Sequence, residues 1–333
     1  MKTKQIQLVL LITLCSIYGH AQSIEKYSID SGGDATTVGG IEILYTIGEV
    51  NVQELNAGGI SVSEGFINTN FKVNINPQVF LQGPLLNPMT VGLMNDNLRA
   101  SSYLPTTSPY ADAVTVVSTV FNTGGTSGTG LAQDDIVDWV WLEIRQANDN
   151  TKVVRAQSVL LQRDGDIVGL DGISTLKINA APTNYYVVVK HRNHLGAMTS
   201  TVMTLSESST TSVDFKNNAL LTYGSNARVD VGSGVMALWT GSTNDSSQIK
   251  FLGAGSSADI IKDYILADLG NFLNFITYSS TAYLNVDVNL DGIGRFSGSG
   301  DDSNIIKDNV LQHPANFLNF PTFTINTTVP PEN

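Results

Sequence analysis

The sequence predicts a mostly β protein: an N-terminal β module and a β-sandwich, followed by a small α-helical domain made of a duplicated loop and helix. Three observations predict it. Short runs of alternating apolar and polar residues are broken by Gly-, Asn- and Asp-rich turns, at the ~8–12-residue spacing of sandwich strands. The C-terminal hundred or so residues repeat themselves in register. The only cysteine, Cys15, lies near the start, so no disulfide staples the remainder.

Residues 1–21 read as a signal peptide. Lys2 and Lys4 precede an apolar run over 8–17, and Gly19 and Ala21 are the small residues of a cleavage site after Ala21. The run is too short to span a bilayer. Leu14, where a small residue belongs, argues against lipid attachment at Cys15. The expected location is secreted, extracellular or periplasmic. Removing Lys2 and Lys4 takes the net charge from −12 to −14. An acidic chain repels nucleic acid and anionic lipid, so neither is an expected partner. No other stretch is long and apolar enough for membrane insertion.

Residues 23–72 form the N-terminal module. "YSID", "IEILYTIGEVNVQEL" and "GISVSEGFI" read as three or four strands. The segment 68–78 is a linker or a strand between modules. Residues 79–232 are the sandwich. "VTVVSTVF" (114–121) reads as a strand. The segments 138–146 and 152–162 read as a hairpin, with Trp139 and Trp141 on one face and Val140 and Leu142 on the other.

Residues 236–325 carry the repeat. Phe251 matches Phe296, Gly253 matches Gly298, and Gly255 matches Gly300. "IIKD" at 260–263 matches 305–308, and "NFLNF" at 271–275 matches 316–320. The register holds without a gap. Apolar residues at helical spacing follow each "IIKD", so each helix can lay its stripe on its twin.

Ahead of the second helix stand Asp287, Asn289 and Asp291, followed by Gly292. This is the front of the pattern D-x-[DN]-x-[DN]-G. In that pattern, oxygen ligands converge on a hard cation and the glycine allows the bend. Ile293 would add its backbone carbonyl. The twelfth position, where a bidentate carboxylate belongs, is Gly298. The expected closing ligand is Asp302, with Asp301 as the alternative. The expected cofactor is therefore one Ca²⁺. In the first copy the equivalents are Ser242, Asn244, Ser246, Ser247 and Ser257. These are weak neutral ligands, so that copy is expected to fold without an ion, or to bind weakly with help from Asp245 or Asp259. The competing reading is that these side chains make Asx-turns and a helix cap.

The duplicated loop and single helix resemble dockerin modules. The form "RFSGSGDDSNII" is similar to the dockerin-like C-terminal region of secreted Bacteroidetes proteins. "DWVWLEIR", "SVLLQRDGDIVGLDG" and "YYVVVKHRNHLG" resemble the β-sandwich region of the same proteins, and "SIDSGGDAT" with "YTIGEV" resembles their N-terminal module. Relatives of this kind are described as haemagglutinin-like or surface proteins, which implies adhesion. Two features depart from the pattern. The first copy lacks the ligands of a cohesin-docking pair. The sequence also ends at "TTVPPEN", without the sorting domain that would imply attachment by type IX secretion.

Other candidates have plainer readings beside them. Asp164, Asp166 and Asp171 in "QRDGDIVGLDG" are a second cation site or a hairpin turn. His191 and His194 are two zinc ligands without a third, or a polar strand end. Lys190 and Arg192 beside them suit an anion or a sugar. Asn95, Asp96 and Asn97 beside Arg99 cap an edge or line a groove. No G-x-S-x-G, H-E-x-x-H or phosphate loop occurs, so no catalytic residues are assigned and no enzyme is expected. The functional expectation is a calcium-binding adhesion or binding protein with an extracellular glycan or protein ligand. Trp139, Trp141 or Tyr110 would line a glycan groove. The alternatives are an assembly protein docking through its C-terminal domain, or an accessory protein to carbohydrate-active hydrolases.

Overall fold

The computed structural model describes residues 32–38, 41–47, 53–57, 60–64, 71–126, 128–243 and 248–333. The expected signal peptide lies outside them. The chain forms two compact units, 1–70 and 71–333. In the first, β1 (Gly32–Val38) pairs antiparallel with β2 (Ile41–Ile47), and β3 (Gln53–Ala57) with β4 (Ile60–Glu64). The expected small meander is thus two hairpins.

The second unit begins with β5 (Lys72–Gln78), followed by a helical turn α1 (Asn97–Ala100). The next strands are β6 (Ile136–Gln146), β7 (Asp149–Gln162), β8 (Ile167–Val168), β9 (Leu176–Asn179) and β10 (Thr183–His191). Then come β11 (His194–Met198), β12 (Met203–Leu205), β13 (Thr210–Asp214), β14 (Arg228–Asp230) and β15 (Met236–Leu238). One sheet has the order β11-β10-β6-β7-β8, with β12 also on β10. A second has the order β13-β5-β9, in which β13 and β5 run parallel. Val73, Ile75, Ile178 and Val213 of the small sheet share one core with Ile144, Leu160 and Val187 of the large one. Two sheets that bury their inner faces together make a sandwich. The segment 68–78 is therefore largely a strand of it.

The hairpin β6–β7 forms as its alternation suggests, but β6 is buried on both faces. Trp139, Val140, Leu142 and Ile144 are all within 1% of full burial. Trp139 is a core residue and lines no groove. The expected strand at 114–121 does not form. Val117 is 68% exposed, while Phe121 turns inward from a 3₁₀ segment (Ser118–Asn122) to meet Trp139 edge-on at 6.3 Å. The β-branched residues there have no partner strand, and β propensity expresses itself only on a pleated surface with neighbours.

The C-terminal segment packs into the same compact unit as the sandwich. Ala237, Leu238 and Leu290 enter the sandwich core, and Leu195 and Val229 of the sandwich contact the C-terminal cluster. The structure does not set 236–325 apart as a helical domain. Its elements are β16 (Gln248–Lys250), α2 (Ser257–Ala267), β17 (Ser279–Thr281), β18 (Ile293–Arg295), α3 (Asp302–Gln312) and β19 (Thr324–Asn326). Among the described residues no helix is long and apolar enough to cross a membrane.

The duplication is visible atom by atom. Ser256 caps α2 by accepting from Asp259 N, and Asp301 caps α3 by accepting from Asn304 N. Ile261 and Ile265 on α2, and Ile306 and Val310 on α3, are fully buried one helical turn apart. Asn271 donates to the carbonyls of Ile265 and Phe275 and accepts from Phe275 N. Asn316 makes the same three bonds to Val310 and Phe320. The strands exchange between copies: β16 pairs with β19, and β17 with β18. Each copy completes a ribbon of the other, so neither is a separate unit.

The copies differ in what their helices face. Asn309 on α3 donates to Gln82 Oε1 and to the Thr240 carbonyl, and accepts from Gln82 Nε2. Its counterpart on α2, Tyr264, is 42% exposed. The second helix docks on the sandwich, and the first has its corresponding position in solvent.

Candidate metal centre

The residues from Asp287 to Asp302 wrap around two buried carboxylates. Leu290 (φ 60°) and Gly292 (φ 86°) take left-handed conformations two residues apart. A side chain at Gly292 would also meet the Tyr103 ring at 3.0 Å, so the bend requires glycine on two counts. Asp287 Oδ1 accepts from Asp291 N (3.1 Å) and Oδ2 from Gly292 N (2.8 Å). Asn289 Oδ1 accepts from Asp291 N, and Asp291 Oδ1 accepts from Ile293 N. The Asn289 and Asp291 bonds are Asx-turn bonds, the Asp287 bonds reach four and five residues on, and together they gather the side-chain oxygens of Asp287, Asn289 and Asp291 into one short loop.

Asp302 and Asp301 have different surroundings. Asp302 is fully buried and turned back to the loop, accepting from Val288 N and Arg295 N at 2.8 Å each. Asp301 is the helix cap, accepting from Asn304 N, Asn304 Nδ2 and Ser303 Oγ. The carboxylate that faces the loop is Asp302. In the first copy Ser257 holds the equivalent place, accepting from Lys250 N at 3.4 Å, and Ser242 is likewise buried. Asn244, Asp245, Ser246 and Ser247 lie outside the described residues.

Asp287 is also fully buried. Burial pushes its carboxyl up to about 7; the Arg192 charge opposes this and Asp291 adds to it. Burial, then the neighbouring Asp287, pushes Asp302 well above the usual carboxylate range. Two carboxylates in one dry site repel, and each is held ionised only at a cost.

Among the described residues, no group of three or more His, Cys, Asp or Glu side chains is close enough to hold a metal ion. Asp291 Oδ2 accepts from Arg295 Nη1 at 2.9 Å, at the partly exposed rim. The available donors are a mixed, all-oxygen set: the Asp287 and Asp302 carboxylates, the Asn289 amide, the Ile293 carbonyl, and Asp291 once released from Arg295. Hard oxygens without nitrogen or sulfur suit calcium rather than zinc.

The loop is seated on the β10–β11 hairpin. Asn193 Nδ2 donates to the Asp287 carbonyl at 2.6 Å, and Thr240 Oγ1 to the Val288 carbonyl. Below it lies a charge network that the sequence reading did not assemble. Asp138 accepts from Arg192 Nε (3.1 Å) and Tyr283 OH (2.7 Å) and contacts His191 Nε2 (3.1 Å). Burial pushes Asp138 up, but Arg192 and His191 outweigh it and hold the carboxyl below its usual range. His194 accepts from Gly83 N and meets His191 Nδ1 at 3.0 Å; burial holds it neutral, far below the usual imidazole range. The two histidines stand at strand ends, His191 closing β10 and His194 opening β11, and there they are buried members of this network. The only sequence signal was the charge-dense "HRNH" against a lone Asp at the head of β6.

The other polar clusters bond among their own residues. Asp171 accepts from Ile173 N and Ser174 N in a turn, and Gly165 supplies a positive φ between Asp164 and Asp166. Asp96 pairs with Arg99 and Arg163. No family model matches the chain, and no curated protein or solved structure matches it.

Proposed function

We propose that this is a secreted, non-enzymatic binding protein of the adhesin kind, whose C-terminal repeat is held by one structural Ca²⁺. The ligands are Asp287, Asn289, Asp291, the Ile293 carbonyl and Asp302. The single observation that carries the reading is the buried pair Asp287 and Asp302, two carboxylates in one dry site. A divalent cation offsets their mutual repulsion and desolvation. The first copy supports this by contrast, since Ser242 and Ser257 put neutral groups where the second copy puts charge. Ion binding then adds to folding stability, because the unfolded chain has no assembled site. The resemblance to dockerin-like tails of secreted Bacteroidetes proteins supports both the export and the ion.

The test is a thermal melt of the whole chain in EDTA and in millimolar Ca²⁺. Calcium is expected to raise Tm by several degrees, and Asp302→Ser, which copies the first repeat, is expected to remove the difference. Equal melting points in both buffers reject the calcium centre.

A second reading, docking of a protein partner through the C-terminal repeat, is favoured by one observation. The two "NFLNF" turns expose Phe272 by 82% and Phe317 by 84%, with Leu273 and Leu318 each 59% exposed. Exposed apolar residues in duplicate mark contact surfaces. Retention of a partner from the native secretome by the wild type but not by Phe272→Ser/Phe317→Ser distinguishes this reading.

A further inference from the structure

Between the sandwich and residues 327–332 lies a cavity of about 550 Å³, lined also by Arg192 and Asn285 beside the Asp287 loop. That is within the ~300–1,000 Å³ range of small-ligand sites. One wall is aromatic: the rings of Tyr110 and Trp141 lie 5.6 Å apart, tilted by 37°. Trp141 Nε1 donates to Glu143 Oε1 at 3.1 Å, which fixes the indole in its plane. The facing wall is the C-terminal run Val329, Pro330, Pro331 and Glu332. Arg145 Nη1 donates to the Pro330 carbonyl at 2.8 Å, and Lys190 Nζ to Glu332 Oε1 at 2.7 Å. Trp141, Glu143 and Arg145, alternate residues on one face of β6, thus organise both walls.

The charges around this cavity are matched. Lys190 faces Glu143 and Glu332, Arg145 faces Glu143, and Arg192 faces Asp138. A site whose cations already hold carboxylates has no surplus charge for an anionic ligand. Its rim does carry accessible polar groups. The Lys190 and Glu332 side chains, 31% and 56% exposed, meet there at 2.7 Å and can exchange hydrogen bonds with hydroxyls. Two tilted aromatic rings beside a paired ammonium and carboxylate are complementary to a ring with an apolar face and hydroxyl edges.

We propose that this cavity binds a neutral saccharide, stacked on Trp141 and Tyr110, with its hydroxyls bonding Lys190 Nζ and Glu332 Oε1 at the rim. The inference deepens the binding half of the proposed function by naming the ligand class; Arg192 and Asn285 lie between the cavity and the Asp287 loop, but none of the proposed ion ligands lines the cavity. The same chemistry serves a free sugar or the terminal residue of a glycan chain.

The experiment titrates the whole chain, in Ca²⁺ and separately in EDTA, with glucose, galactose, mannose, N-acetylglucosamine, their β-linked disaccharides and glucuronate. Binding is read by calorimetry and by tryptophan fluorescence. A matching glycan array separates free sugar from chain-end recognition. At least one neutral saccharide is expected to bind, with affinity falling about ten-fold or more, some 1.4 kcal/mol, in Trp141→Ala and in Tyr110→Ala. Trp239→Phe, outside the cavity, is expected to bind as wild type. Circular dichroism checks that each variant is folded, and Lys190→Met, at the rim, gives a milder probe expected to weaken binding. The proposal is overturned if no neutral saccharide binds, if only glucuronate binds, or if folded Trp141→Ala and Tyr110→Ala variants bind as wild type. Sugar binding that persists when calcium has no effect on Tm rejects the metal reading alone. A calcium effect on Tm without sugar binding rejects this one alone.

Discussion

Asp302 and Ser257 occupy equivalent places in two copies of one fold, and the difference between them is one buried charge. That charge sets a pH dependence. The folded-state pKa of Asp287 is raised from 3.8 to about 7, and that of Asp302 is raised as well. A raised carboxyl binds its proton more tightly in the folded chain than in the unfolded one, so stability falls as pH rises from about 4 through 7. In EDTA we expect Tm to decline across this window; in excess Ca²⁺, which takes the place of the proton, the decline should disappear. Differential scanning calorimetry at matched ionic strength checks this, and parallel curves would speak against it. Arg295 acts in the opposite sense by holding Asp291 at the rim. Arg295→Ala releases that carboxylate, and we expect calcium affinity to rise by the worth of a semi-exposed ion pair, about 0.5–1 kcal/mol. Calorimetric titration reads it directly.

At the scale of elements, α2 and α3 share caps, stripes and closing asparagine turns, yet only α3 is tied to the sandwich. The tie is Asn309 with Gln82 and the Thr240 carbonyl. Removing one partner of a buried amide pair leaves the other unsatisfied, which costs about 1–3 kcal/mol. Asn309→Ala should therefore destabilise by that amount, while Tyr264→Ala at the matching place on α2 should stay within about 0.5 kcal/mol, as surface changes do. Urea denaturation of both variants, in calcium, tests the asymmetry. The helices themselves were legible from the sequence, because Ile261, Ile265, Ile306 and Val310 sit at helical spacing; their caps, Ser256 and Asp301, were not. The ribbons that join the copies were not. Strands of three residues carry too little pattern, and the exchange of β16 and β17 between copies is a long-range pairing.

At the scale of the whole molecule, residues 71–333 share packing across the expected boundary near 232–236. Leu238 and Leu290 enter the sandwich core, and the β10–β11 hairpin carries the Asp287–Asp302 loop. A chain beginning at residue 71 is expected to unfold in one cooperative transition by circular dichroism and tryptophan fluorescence, whereas residues 236–333 alone should lack a cooperative melt. Two resolved transitions within 71–333 would mean that the interface contributes little. The loop's ligand candidates were readable as a motif, since alternation of Asp and Asn before a glycine is a local pattern. The Asp138–Arg192–His191 network and the cavity beside Trp141 were not, because their members lie up to 222 residues apart, from Tyr110 to Glu332.

Local chemistry determined what the sequence alone could specify: a β-rich chain, two helices in register, and a turn that gathers oxygen side chains. Each depends on residues within a few positions of one another, where spacing and backbone preference suffice. Tertiary structure decided which carboxylate faces the loop, which helix docks, and where an aromatic wall meets residues 329–332. Those outcomes rest on burial and on pairing between distant segments, and both exist only after the chain has closed on itself.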